Sequence, residues 1–157
     1  MRILTAAVLT FVVSVGYAQT GNYFLSHYSP GNEHFNNICF DINQDESGVM
    51  YFATKGGVLG FDGRNWDLLR GKAAIYSLHI AASGNKYWSG ADAFGSVGVS
   101  AEGFQTLEPI RDSTQSHIFQ TSSIGDKIYF LSDEKIHVFN EADRKVITIA
   151  TTPGIGT

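Results

Sequence analysis

From Ile38 onward the chain alternates apolar and polar positions in short runs, each closed by a glycine or a small polar turn. "ICFDINQ", "VMYFAT", "GVLGF" and "NWDLL" follow one another in this way, and none is long enough for an amphipathic helix. A period of two over four to eight residues predicts half-buried strands. Val, Ile, Tyr, Phe and Trp fill these runs, as a pleated and partly buried surface requires. The three prolines, Pro30, Pro109 and Pro153, read as connections. The reading is all-β.

The pattern returns. "ICFDINQDESGVMYFAT" (38–54) aligns with "IYSLHIAASGNKYWSG" (75–90) and, more loosely, with "IFQTSSIGDKIYFLS" (118–132). Each is a strand, a turn at Gly48, Gly84 or Gly125, and an aromatic pair: Tyr51-Phe52, Tyr87-Trp88, Tyr129-Phe130. The second halves correspond as strand, polar turn, strand, with Asp62-Gly63, "SAEG" and "NEADR" at the turns. Four short strands repeating at roughly 40 residues predict four-stranded antiparallel β-propeller blades. Blades 37–73, 74–115 and 116–150 number about three, whereas closed rings have about 4–8. A blade has two apolar faces and cannot bury them alone. The expectation is therefore part of a larger, incomplete propeller, or a chain that self-associates. Segment 19–36, through "NYFLSHYSP", is expected to give the outer strand of a missing last blade. The mature segment on its own is expected to be poorly soluble or oligomeric.

The first 18 residues change the compartment. Arg2, the uncharged run "ILTAAVLTFVVSV", and Gly16 and Ala18 before Gln19 form a cleavable export signal. The run is shorter than the roughly 20 residues a spanning helix needs. A periplasmic or secreted protein cut between Ala18 and Gln19 follows, with any membrane attachment left to a downstream part. The formal charge of −4 becomes one unit more negative once Arg2 leaves. With no Lys/Arg cluster, nucleic acid is not an expected partner. Cys39 is the single cysteine, so no disulfide framework exists, and its apolar surroundings predict a small buried side chain.

"INQDESGVMYFATKGGVLGFDG" (42–63) resembles the two-component regulator propeller repeat. Ile42, Gln44, Asp45, Gly48, Met50, Tyr51, Phe52, Ala53, Thr54, Gly57, Val58, Phe61, Asp62 and Gly63 carry the resemblance. The second unit keeps Gly84, Tyr87, Trp88 and Gly90 and lacks the Gln-Asp pair; the third keeps only the outline. The resemblance implies an exported ligand-sensor propeller of the kind found in Bacteroidetes hybrid sensor kinases and triple-tyrosine-domain regulators. It implies a ligand that is often a glycan, and an output domain outside these residues.

The chain offers little catalytic chemistry. His27, His34, His79, His117 and His137 are scattered without metal-site spacing, and no Gly-x-Ser-x-Gly elbow occurs. "QDESG" lacks the alternating acids of a calcium loop and reads as an ordinary acidic turn. No cofactor, metal or catalytic set is expected. A binding face is. Propeller geometry gathers "TKGG" (54–57), "SGADAFG" (89–95), "RGKAA" (70–74) and "RDSTQSH" (111–117) at one end. Lys55, Arg70, Lys72, Asp92, Phe94, Arg111 and His117 are then the candidate ligand-binding residues. Polar groups with an aromatic plate suit an oligosaccharide or small anionic ligand; Trp66 and Trp88, within strands, read as core. The expected function is a non-catalytic sensor module at the N-terminal end of a signal-transduction protein. The alternatives are a glycan-active hydrolase or lyase and a structural propeller.

Overall fold

The computed structural model describes residues 26–30 and 38–150. The leader, the rest of segment 19–36 and the closing "TTPGIGT" lie outside the described residues. Ten strands follow in order: β1 (Cys39–Gln44), β2 (Met50–Thr54), β3 (Gly57–Phe61), β4 (Trp66–Arg70), β5 (Ile75–Ile80), β6 (Lys86–Val99), β7 (Gln105–Ile124), β8 (Lys127–Ser132), β9 (Lys135–Asn140) and β10 (Val146–Ala150). The described residues contain no helix. All pairings are antiparallel, and they build a four-stranded sheet, β1-β2-β3-β4, and a six-stranded sheet, β10-β9-β8-β7-β6-β5, neither closed.

The first sheet is the expected four-stranded meander. The second differs from the expected separate units because β6 and β7 run through from one pairing to the next. β6 pairs with β5 up to Gly90 and with β7 from Ala91 onward. It is not straight. Eight residues of extended chain span about 26 Å, yet the Trp88 indole N–H donates to the Ser96 carbonyl at 3.0 Å. The chain folds back at Asp92, whose φ is 66°. β7 loops out in answer: Ala91 faces His117 while Ala93 faces Asp112. One bend thus replaces the expected hairpin.

Two apolar clusters hold successive layers face to face. Tyr51, Ala53, Val58 and Leu69 of the first sheet pack against Ile75, Leu78 and Trp88. Ala81, Tyr87 and Phe94 pack against Ile118, Ile128, Phe130 and Phe139. The large rings in these clusters each contribute roughly 1.5–3 kcal/mol by burial. Segment 26–30 is not a strand; the Tyr28 ring lies on Phe61, with centroids 5.0 Å apart.

The first strands of the layers are joined differently. β1, β5 and the second half of β7 are linked by side chains, with no backbone ladder between them. The Asp41 carboxylate accepts from Leu78 N–H at 2.9 Å and from Ser77 Oγ at 3.1 Å. Ser77 Oγ in turn accepts from Thr121 N–H at 3.1 Å, and Thr121 Oγ1 donates to Ser89 Oγ at 2.8 Å. A hydroxyl can donate and accept at once, which makes the relay possible. Asn43 donates to the Leu78 carbonyl, and His79 Nε2 bonds Ser123 Oγ.

Cys39 departs from expectation. It is exposed, because it stands at the edge of the sheet just before a bulge in β1, where its thiol donates to the Asp41 carbonyl at 3.3 Å. Burial of part of the thiol, chiefly, raises its pKa above the ordinary value.

Replacing Asp41 by Ala leaves the Leu78 N–H and the Ser77 hydroxyl without their acceptor inside the seam. Urea unfolding should show a loss of about 1–3 kcal/mol. Unchanged stability would mean that the relay carries no weight.

Candidate functional site

The β4–β5 connection, 70–75, is pressed between two glycines. A Cβ on Gly57, whose φ is +135°, would meet the Leu69 carbonyl oxygen and, at 2.6 Å, the Gly71 nitrogen. A Cβ on Gly90 would meet the Ala74 carbonyl. The bonds made there are Gly71 N–H to Gly56 O at 3.1 Å and Ala91 N–H to Ala74 O at 3.0 Å. Only a residue without a side chain allows this approach. The connection is therefore fixed as one wall of a cavity.

That cavity has a volume of about 370 Å³ and lies at the seam of the first two layers. Arg70, Lys72 and Asp92 line it, with Asp112 and Ser113 from the β7 loop. Its apolar surface comes from Ile75, Trp88, Leu107 and Pro109 among others. Asp92, Ser113 and Gln115 all have φ between 56° and 66°, a left-handed conformation uncommon outside glycine. The Asp92 carboxylate accepts from the Gln115 N–H, which ties the two strained segments together. Clustered strain of this kind accompanies functional sites. The arrangement sets two cations and two carboxylates around a hollow whose apolar lining includes Trp88, suited to holding a small polar molecule with an apolar side.

Of the seven residues read from the sequence, Arg70, Lys72 and Asp92 come together here. Lys55 is exposed in the β2–β3 turn and does not line the cavity. Arg111 donates instead to Thr148 Oγ1 at 3.0 Å, toward β10. His117 stacks on Tyr76, with centroids 5.7 Å apart. Phe94 requires correction. It is fully buried, stacked on Phe130 at 4.2 Å and beside His137 at 5.1 Å, so it is core and no ligand plate. Trp88, read as core, is buried and also lines the cavity. Asp112 and Ser113 are not among the seven, because which side chains of that stretch face the cavity depends on how β7 loops out; their place in "RDSTQSH" (111–117) is the sequence signal for them.

Other polar groups singled out by the sequence find partners within the protein. In the acidic turn, Asp45 Oδ1 accepts from Ser47 N–H, Ser47 Oγ and Val49 N–H. Its Oδ2 accepts from Tyr51 and lies 3.3 Å from Lys86 Nζ. Burial opposes its ionisation, but these partners outweigh it and hold its pKa below the ordinary range. His137 Nδ1 bonds Thr148 Oγ1. Among the described residues no group of three or more His, Cys, Asp or Glu could hold a metal ion.

Glu141 forms a clamp between layers. Its Oε1 accepts from Ser83 Oγ and Asn85 Nδ2, each at 2.8 Å, and from Tyr87 OH at 2.7 Å. Burial would raise its pKa; the three donors prevail and lower it. Tyr87 is pushed well above its ordinary range, first by burial and then by that carboxylate.

Similarity to known proteins bears on the fold of this chain alone. No protein-family profile matches it, and no curated protein matches it. A solved structure does, the extracellular domain of what is assigned as a one-component system of B. thetaiotaomicron. The TM-score is 0.55 at 16% identity, over 71% of this chain and 16% of that one. The chain thus spans a small part of that domain and shares its all-β fold.

A lowered folded-state pKa gives stability that is complete above the ordinary value of 4.5 and is lost as pH falls through the folded value. Urea midpoints should therefore drop as pH is lowered below 4.5, and Glu141→Gln should flatten part of that drop. An identical slope in the variant would show that the clamp is not linked to folding.

Proposed function

We propose that this chain is the ligand-binding, non-catalytic part of an exported sensor, built as blades of a larger β-propeller. The observation that carries the reading is the cavity of about 370 Å³ at the seam of the first two layers. Arg70, Lys72 and Asp92 converge there on an apolar wall that includes Trp88. Pockets of this size, mostly apolar with a few placed polar groups, are the usual form of small-molecule sites. The structural neighbour, an extracellular domain of a one-component system, supports a sensing role in a signal-transduction protein of two-component or transcription-regulator type. The export signal supports a periplasmic or secreted location.

The ligand class follows from the lining. Charged and polar groups at the rim would satisfy hydroxyl or carboxylate groups, while the lining from Ile75, Trp88, Leu107 and Pro109 would take an apolar ring surface. A short oligosaccharide, in particular one carrying an acidic sugar, meets both demands. Asp92 and Asp112 in one cavity favour a second reading, a glycan-active hydrolase or lyase, since paired carboxylates are the usual apparatus of glycosidic cleavage.

Calorimetric titration with neutral and uronate-containing oligosaccharides separates these. The expected outcome is binding of an acidic member without turnover. Lys72→Ala or Asp92→Asn should weaken it at least about tenfold, or about 1.4 kcal/mol, at unchanged melting temperature. Release of new reducing ends, abolished by Asp112→Asn, would favour the enzyme. No heat with any sugar would remove the glycan reading.

A further inference from the structure

The first strands of the layers share one irregularity at one place. β1 gains an extra residue between Cys39 and Asp41, β5 between Ile75 and Ser77, and β7 between Ile118 and Gln120. The residues facing the start of each bulge, Thr54, Gly90 and Ser132, hold equivalent positions in β2, β6 and β8. The residue left out of the ladder is Phe40, Tyr76 or Phe119, aromatic each time. Its successor changes freely, from Asp41 to Ser77 to Gln120. A bulge releases one residue from pairing and re-aims its side chain, and bulges gather beside functional sites.

The released rings are not spent on the core. Phe40, Tyr76, Phe119 and the nearby His117 belong to neither apolar cluster, although Ile75 and Ile118 beside them are buried. Phe40, Tyr76 and His117 form a row instead. The Phe40 ring meets Tyr76 edge-on, with centroids 5.1 Å apart, and Tyr76 stacks on His117 at 5.7 Å. Tyr76 is half-buried and His117 exposed, and both have described strands before and after them. The row adjoins the cavity. Ile75 lines it, one residue before Tyr76, and Ala91 lines it directly opposite His117 in the β6–β7 ladder.

We propose that this row is a second subsite, on which an oligosaccharide that fills the cavity with one end lays its next sugar rings. The inference rests on the reading of the cavity as a sugar site. That cavity, about 370 Å³, is near the lower end of the roughly 300–1,000 Å³ of small-molecule pockets, so a longer chain has to leave it. The C–H face of a pyranose is apolar and slightly positive, whereas the face of an aromatic ring is negative, so the two attract. The occupant is the continuation of the cavity's own ligand, since the row begins where the lining ends. His117 thereby meets the ligand outside the cavity that it does not line.

Calorimetric titration with neutral and uronate-containing oligosaccharides of increasing length tests this. Wild-type affinity should rise at least tenfold from the disaccharide to the hexasaccharide. Tyr76→Ala and, at an exposed position, His117→Ala should each bring the ratio of long- to short-chain affinity close to one. Tyr76→Phe, which keeps a ring, should preserve the ratio. A ring that only holds strands together would lower the melting temperature on removal and leave the ratio unchanged. Lys72→Ala should weaken short and long chains alike, which reads the cavity separately. A wild-type ratio near one, or a raised ratio that survives both ring deletions, would overturn the second subsite while the cavity stands. No heat at any length would overturn both.

Discussion

The Asp41–Ser77–Thr121 relay is the constraint on which the arrangement of layers depends. Stacked sheets could slide over one another on apolar faces alone, since dispersion and burial are non-directional. A carboxylate that accepts from Leu78 N–H and Ser77 Oγ fixes β5 against β1 to within a hydrogen-bond length. The Ser77–Thr121 and Thr121–Ser89 bonds carry that registration on to β7 and β6. The apolar clusters then supply the stabilisation, and the relay supplies the position.

From that registration the cavity follows. Holding β1 beside β5 brings the connection 70–75 against β6, where Gly57 and Gly90 allow the backbones to touch. The bend at Asp92 then faces Arg70 and Lys72 across the seam. The same bend sends Phe94 inward, into the stack with Phe130 and His137. One backbone turn therefore decides which neighbouring residue is available to a ligand and which is core.

Much of this was legible in the sequence because it depended on short-range pattern. The alternation predicted strands, and Gly48, Gly84 and Gly125 stand at turns with positive φ. Tyr51, Tyr87 and Tyr129 occupy equivalent register positions. The readings that differ turned on tertiary placement. Phe94 lies two residues from Asp92 in a stretch that reads as loop, but strand pairing begins again at Ala93. Cys39 sits among apolar neighbours in sequence, yet an edge strand with a bulge turns it outward. The loop position of Arg111 points to the binding end, whereas its side chain reaches β10. No local pattern records which way a bulged or edge residue faces.

The continuity of β6 and β7 has a mechanical meaning. Because each strand serves two pairings, the layers they join cannot separate without breaking a backbone ladder within the same strand. The four-stranded first sheet has no such shared strand; it is held by side chains and by one short connection. Local opening concentrates where few cooperative bonds must break. The cavity lies on that side-chain seam, so a ligand bridging Arg70 and Asp92 would add a direct tie between the end of the first sheet and the bend in β6, where the protein's own backbone ladder makes none.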